Sequence, residues 1–282
     1  RGITLETIER FNLGYALPSW DSLISFFSSR GIDIKILEKS GLVVPRKNGS
    51  GYYDRFRDRV MFPIEDARKN VIGFGGRVIG AGEPKYLNSP ETRVFSKGDN
   101  LFGLSMIKKD QDLEIIVVEG YMDCISLHQN GFTQTVASLG TALTQRQAQI
   151  LKRFCDSVIL AYDADTAGQE ATLRGADILS KEGLNVKILE LPMAKDPDEF
   201  IRQKGLGAFQ EQLSKAKGLI NYKLDLAKNG LNMSTSDGRL KFVRRAISIL
   251  AGIDDQVIRD IYIRGFAKTY GVSPQSIKNE IE

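Results

Sequence analysis

Leu113-Glu114-Ile115-Ile116-Val117-Val118-Glu119-Gly120 decides the fold class of this 282-residue chain. The branched apolar run from Ile115 to Val118 leaves no polar face, which suits a parallel strand covered on both sides. An acid stands directly at its carboxyl end, and the glycine after it lets the backbone turn closely. The segments that follow alternate. Met122 to Asn130 predicts a helix, Thr133 to Ser138 a strand, Thr144 to Phe154 a helix and Ser157 to Tyr162 a strand. Ala167 to Glu182 predicts the next helix and Val186 to Leu191 the next strand. Strand and helix alternating at this spacing mean βαβ crossovers, hence an α/β unit with a parallel sheet flanked by helices on both sides.

Outside that stretch the texture changes in both directions. The first forty residues look helical, with Leu5, Ile8 and Phe11 spaced for one apolar face. From Gly41 to about Gly82 short β-prone runs take over, among them Arg59 to Ile64 and Asn70 to Phe74, with a charged turn at Glu65 to Asn70 joining two of them as a hairpin. Pro84 to Asn100 is polar and rich in turn formers, the mark of an ordered loop or functional excursion. After about Ser214 no strand signal remains, and amphipathic helices such as Arg239 to Ala251 and Gln256 to Tyr270 follow. The turn at Tyr270 to Pro274 favours simple bundle packing over a helix-turn-helix, because no basic recognition face accompanies it. The expected organisation is therefore a mixed α/β basic subdomain over 1–112, the parallel-sheet domain over 113–214 and a helical subdomain over 215–282.

Composition narrows the classes further. A 42% hydrophobic content suits a globular core, and no apolar run reaches the roughly 18 residues of a membrane span. Cys124 and Cys155 lie in or beside apolar stretches without metal-ligand spacing, and the single His128 does not complete a zinc site with them. Both thiols read as buried and reduced, which favours a cytoplasmic protein. The net charge of +4 is concentrated: residues 41 to 100 carry eleven Lys or Arg against seven Asp or Glu, and the remainder of the chain sums to zero. That is a modest basic footprint for a polyanionic partner. The opening at Arg1 rather than Met suggests a piece of a longer chain.

Ligands of doubly wound sheets bind beyond the carboxyl ends of the strands. Three acidic motifs fall there: Glu119, the pair Asp163 and Asp165, and the pair Asp196 and Asp198 stiffened by Pro197. One acid at a strand end is commonplace, usually a helix cap or a solvated carboxylate. Three on three strands of one sheet are harder to dismiss. Carboxylates converging within several ångströms raise one another's pKa values, and a divalent cation removes that penalty. Oxygen-only ligands favour Mg²⁺ or Mn²⁺, and Mg²⁺ keeps sites for substrate phosphates. Two ions about 3.5–4 Å apart are an option. The expectation is phosphoryl-transfer chemistry, with Glu119 as a ligand or additionally as a general base.

In the basic stretch, Asp54-Arg55-Phe56-Arg57-Asp58-Arg59 interleaves cations with an aromatic, and Gly73-Phe74-Gly75-Gly76-Arg77 looks like a phosphate-cradling loop. No helix follows the glycines, so a P-loop or dinucleotide site fails its context test. A glycine-rich strand that lets a nucleic-acid backbone approach closely is the expectation instead. Lys85, Asn88, Arg93 and Lys97 in the following loop suit triphosphate or template phosphates.

Val118-Glu119-Gly120-Tyr121-Met122-Asp123, the Asp163/Asp165 pair and Asp196-Pro197-Asp198 together resemble the toprim domain shared by bacterial primases and topoisomerases. With Glu9 to Ala16, Asp54 to Ile64, Gly73 to Arg77, Pro84 to Thr92 and Ser138 to Ala142, the chain resembles the RNA polymerase core of bacterial replicative DNA primases of the DnaG type. The resemblance covers residues 1 to about 205, and the run Pro84 to Thr92 is its most specific part. It implies a nucleotidyltransferase that makes short RNA primers on single-stranded DNA from ribonucleoside triphosphates, leaving an RNA/DNA hybrid. It implies Glu119, Asp163, Asp165, Asp196 and Asp198 as metal-site acids, the first three catalytic, with Asp123 behind them. Nucleotide and template contacts fall on Arg1, Arg77, Lys85, Asn88 and Lys97. It further implies a monomer at a cytoplasmic replisome, with zinc confined to a template-recognition domain preceding Arg1. Contacts to replicative helicase and single-strand-binding protein would lie in regions beyond this chain, the helicase-binding domain following Glu282. One departure is Ala164 where the family has glycine between the paired aspartates, a small change if φ there stays negative.

Two other classes compete. A toprim nuclease or topoisomerase would nick supercoiled DNA, and a cleaving topoisomerase needs a nucleophilic Tyr usually carried on another domain. A non-enzymatic replisome scaffold would retain every activity after loss of Asp163 and Asp165.

Overall fold

A computed structural model of the chain describes residues 2–47, 49–108, 113–140, 142–163 and 166–281, with the backbone alone at 166 and 167. The chain divides into two compact units, residues 1–216 and 217–282.

The first unit opens with helix α1 (Leu5–Arg10), strand β1 (Gly14–Ala16) and helices α2 (Ser22–Ser28) and α3 (Ile34–Lys39). Strands β2 (Val43–Pro45) and β3 (Tyr52–Asp54) form a small antiparallel pair. A four-stranded antiparallel sheet follows, built from β4 (Arg59–Glu65), β5 (Val71–Val78) and β6 (Tyr86–Asn88) in the order β1-β4-β5-β6. The expected hairpin is present. Its turn is held by Asp66, whose carboxylate accepts from the backbone N–H groups of Arg68 and Asn70 at 2.8 and 2.9 Å. The strands β1 and β6 correct the sequence expectation. Each has three residues and is paired along one side, β1 on β4 and β6 on β5, so neither shows a periodic pattern.

Asp54, the first acid of the basic motif, has a structural task. Its buried carboxylate accepts the N–H groups of Leu23 and Ile24 at 2.7 and 3.2 Å and the hydroxyl of Ser22 at 3.2 Å. It thereby caps α2, for which the N-cap residue Asp21 makes no side-chain capping bond.

The parallel sheet comes next, from β7 (Glu114–Val118), β8 (Thr135–Ala137), β9 (Ser157–Leu160) and β10 (Asn185–Ile188). These strands lie in the order β10-β9-β7-β8 and pair in parallel. Their connections run through α4 (Tyr121–Gln129), α5 (Gln145–Lys152) and α6 (Thr166–Lys181), and α7 (Pro197–Ser214) follows β10. Ile115 to Val118 are fully buried, as a strand covered on both faces requires. Sequence reading missed α7, although Asp196 at its N-cap followed by Pro197 in its first turn is a start signal. A non-helical Gly205 (φ 80°) kinks it. Phe62, Phe95, Phe102, Ile116, Val118, Tyr121, Ile125 and Phe209 belong to one continuous core that joins the antiparallel and parallel sheets.

Cys124 and Cys155 are both buried and free, as expected. His128, 2% exposed, lies edge-on to Phe11 at 5.1 Å. Its Nε2 donates to the Thr135 carbonyl at 2.8 Å, and its Nδ1 is buried with no hydrogen-bond partner. Burial lowers its pKa from the ordinary 6.5 to about 4. The native state therefore binds fewer protons than the unfolded chain between those values. The stability this neutral imidazole contributes is full above pH 6.5 and is lost as pH falls toward 4, by roughly 3 kcal/mol at most. Asp123, whose carboxyl is raised to about 7, changes stability in the opposite sense over the same range. The His128 contribution is therefore read as the difference in urea midpoints between the parent and His128→Asn from pH 7 to 4, with the parent losing its relative advantage toward pH 4.

The second unit consists of helices α8 (Leu219–Ala227), α9 (Ser236–Ala251), α10 (Gln256–Tyr270) and α11 (Pro274–Ile281). Phe242, Ala246, Leu250, Ile263, Phe266 and Ile277 form its core, with Tyr270 and Val272 packed against it. The turn after Tyr270 closes on Gly271 in the left-handed region, and its flanking residues serve bundle packing. No helix among the described residues is long and apolar enough to cross a membrane.

Candidate active site

The sheet order places a switch point between β7 and β9, because the chain leaves β7 toward β8 and returns on its other side. Crevices beyond such points are where ligands bind in parallel sheets. Glu119 follows β7 and Asp163 lies shortly after β9, so the two acids flank that crevice. They also touch: the Asp163 N–H donates to Glu119 Oε1 at 3.3 Å. Gly168 at the start of α6 packs so closely that a Cβ there would stand 2.2 Å from the Asp163 carbonyl oxygen. Asp165 lies outside the described residues.

A second group of acids adjoins the first. Asp123, in the first turn of α4, accepts the N–H of Asp198 at 3.2 Å and so ties α4 to the start of α7. Burial first, then the neighbouring Asp196, push its carboxyl up to about 7, with smaller contributions from Asp163 and Asp198. Asp196 is the N-cap of α7 and accepts the Glu199 N–H at 2.7 Å. Asp198 is fully buried, and its Oδ1 is paired with Arg202 Nε at 3.1 Å. The five expected ligands are thus differently committed. Among the described residues no three His, Cys, Asp or Glu side chains converge on one ion position. The donor chemistry nevertheless fits a hard divalent cation. The set is all oxygen, and burial together with the neighbouring Asp196 already drives the adjacent Asp123 carboxyl toward the neutral form, a penalty that a cation beside it would ease.

Arg77 and Asn88 stand on the antiparallel sheet, Lys85 directly beside it and Lys97 in the segment that follows. Arg77 on β5 pairs with Tyr86 on β6, its guanidinium 5.8 Å from that ring, and its Nε is buried with no hydrogen-bond partner. That orphaned donor suits an incoming anion. Lys85 is exposed just before β6, where Arg59 braces the chain by donating to the Pro84 carbonyl at 2.8 Å. Asn88 is half-buried at the end of β6. Lys97 sits in a short 3₁₀ turn (Lys97–Asp99) tied to the parallel-sheet domain. Gln147 of α5, fully buried, donates to the carbonyls of Lys97 and Asn100 at 3.1 and 2.8 Å, and Thr144 Oγ donates to the Gly98 carbonyl at 2.5 Å. Arg1 lies outside the described residues.

The structure corrects the reading of the glycine run. A Cβ at Gly75 would meet Tyr121 Cζ at 2.4 Å, one at Gly73 would meet Phe95 at 3.0 Å, and one at Gly76 would meet Phe56 at 2.9 Å. All three glycines are buried beneath the protein's own aromatic rings, so close approach there serves packing rather than a nucleic-acid backbone. Sequence reading also missed Tyr121 and Gln147 as ties between the sheets. Both stand in or beside quoted motifs, yet their partners lie 33 to 50 residues away.

A parallel sheet in this order, with acids at the strand ends around its switch point, defines the toprim class, and a family model described as Toprim-like matches residues 116–201. The flanking regions match the models "DNA primase catalytic core, N-terminal domain" over 1–108 and "DnaB-helicase binding domain of primase" over 220–275. A DNA primase of Clostridium acetobutylicum is 48% identical over 98% of this chain and 46% of its own length. A DNA primase domain from Pseudomonas aeruginosa superposes with a TM-score of 0.83 at 38% identity, covering 99% of this chain and 88% of that one. A DnaG primase catalytic domain bound to single-stranded DNA gives 0.84 at 36%, covering 98% and 88%. The chain belongs to the DnaG-type DNA primase catalytic-core family. It spans about half the length of the curated relatives it matches. The third model falls inside the chain, whereas the sequence expectation put helicase contacts beyond Glu282.

Proposed function

We propose that this chain is the polymerising core of a primase, joining ribonucleoside triphosphates into short RNA primers on a single-stranded DNA template. The observation that carries the reading is the bond from Tyr121 Oη to Asn88 Oδ1 at 2.8 Å. It ties β6, which ends on Asn88 and is preceded directly by Lys85, to the helix that starts two residues after Glu119, so phosphate-binding groups and carboxylates serve one crevice. Glu119, Asp163 and Asp165 would hold Mg²⁺ or Mn²⁺, with Asp196 beside them and Asp198 engaged by Arg202. A divalent ion there supplies charge neutralisation for a triphosphate and activation of an attacking 3′-hydroxyl. Lys85, Lys97, Arg77, Asn88 and Arg1 bind and orient the phosphates of nucleotide and template. Asp123 acts through α7, whose first turn it anchors.

The partners follow: single-stranded DNA, nucleoside triphosphates, the RNA/DNA hybrid, and a cytoplasmic replisome with single-strand-binding protein. The match over residues 220–275 adds a helicase of the DnaB type. Val257, Ile258 and Ile261 on α10, 70%, 46% and 64% exposed, are the apolar side chains such a bundle offers a partner. The deciding experiment incubates the chain with template, NTPs and Mg²⁺ or Mn²⁺. Template-complementary RNA, abolished by EDTA and without nicking of supercoiled DNA, is expected. Nicking without RNA synthesis would favour the nuclease reading.

A further inference from the structure

Tyr121 is 3% exposed at the start of α4. Its ring stacks on Phe62 with centroids 4.8 Å apart and meets Phe102 edge-on at 4.9 Å, in the notch that Gly75 leaves open. The ring is immobilised on several sides, so the position of its hydroxyl is set by packing.

That hydroxyl donates to Asn88 Oδ1, and Asn88 Nδ2 donates in turn to the Leu139 carbonyl at 3.1 Å. The orientation of the amide is unambiguous, because a carbonyl accepts only and must face the NH₂ end. Leu139 is held in the left-handed region (φ 65°), where a branched residue sits at a cost that the surrounding structure must offset. The next residue returns to the acid: the Gly140 N–H donates to the Glu119 carbonyl at 3.3 Å. The contacts therefore close a ring, from Glu119 along the chain to Tyr121, across to Asn88, across to Leu139, and back through Gly140 to Glu119. Asn88 is the one member of that ring from the antiparallel sheet. Its own carbonyl is gripped by Arg55 Nε and Nη2 at 3.2 and 2.9 Å.

We infer that Tyr121 is a positioning residue, whose hydroxyl fixes the Asn88 amide, and with it β6 and the adjoining Lys85, in register with Glu119 for nucleotide binding. The inference rests on the proposed role of Lys85 and Asn88 as nucleotide contacts. With two of its sites committed, Asn88 keeps one N–H and one lone pair for a ligand, already aimed. Such preorganisation lowers the ordering cost of binding, and a contact made equally in ground and transition states shows in KM rather than kcat.

Tyr121→Phe keeps the ring in its notch and removes only the hydroxyl. The expected result is a KM for NTP raised about tenfold, with kcat changed less than about threefold. The unfolding midpoint should fall by no more than about 4 °C, the effect of one lost hydrogen bond. The double variant Tyr121→Phe/Asn88→Ala should match Asn88→Ala alone within about twofold, because Tyr121 acts through Asn88. An unchanged KM in Tyr121→Phe, or multiplying effects in the double variant, would overturn the inference while leaving the primase reading intact. A parent chain that makes no RNA defeats the primase reading and this inference with it.

Discussion

Asp163→Asn is expected to reduce ribonucleotide incorporation by about 10³-fold or more while leaving fold and single-stranded DNA binding unchanged. The replacement is isosteric and neutral. It removes the charge that would hold a cation, yet keeps the backbone N–H that Asp163 gives to Glu119. Stability should not suffer. Asp163 is one of the carboxylates crowding Asp123, whose carboxyl burial and Asp196 already push up to about 7, so losing a like charge eases the folded state. The unfolding midpoint should hold or rise slightly as incorporation collapses. Primer assays, DNA affinity and thermal unfolding on the same preparation check all three. Incorporation at the parent rate would remove Asp163 from the site.

The second large effect is expected at Gly75. Alanine there would place its Cβ 2.4 Å from Tyr121 Cζ, 2.5 Å from Oη and 2.7 Å from Cε2, distances that real Cβ contacts do not adopt. Flexible neighbours absorb such a clash cheaply, but Tyr121 is wedged between Phe62 and Phe102. Overpacking of this kind costs about 1–3 kcal/mol. Because the displaced ring carries the hydroxyl that fixes Asn88, incorporation should fall more than tenfold, roughly the two decades that a misplacement of about 1 Å can cost. Gly207→Ala is the control. It sits in α7 with nothing within 4 Å of an added Cβ, and should be neutral or stabilising by up to about 1 kcal/mol. Urea midpoints and incorporation rates for the two variants separate packing from a general intolerance of alanine.

The parts of this architecture that were readable in sequence are those with a local repeating signal. Ile115 to Val118 announce a doubly covered strand, and the alternation after it announces the parallel sheet and its flanking helices, so Glu119 and Asp163 fall at strand ends on the sequence pattern alone. β1 and β6 were not readable, since three residues carry no period. The cap signal of α7 was present at Asp196-Pro197, but the acids there drew a ligand reading instead. The glycine run was misread for a physical reason: a missing Cβ makes room without saying for what, and here the occupants are Phe95, Phe56 and Tyr121. The side-chain bonds of Asn88 and Gln147, and the bond from the Asp198 N–H to the Asp123 carboxylate, join residues distant in the chain, and only folding reveals them. Two site candidates, Arg1 and Asp165, lie outside the described residues.

Acids at the ends of β7 and β9 are proposed to hold a divalent ion against nucleotide phosphates. Crystals of the chain soaked with Mn²⁺ and an NTP test that role most directly, through anomalous scattering. A peak is expected within coordination distance of Glu119 and Asp163, with triphosphate density between it and Lys85. A fully occupied nucleotide with no peak near Glu119 or Asp163, or a peak bound only elsewhere, would contradict it.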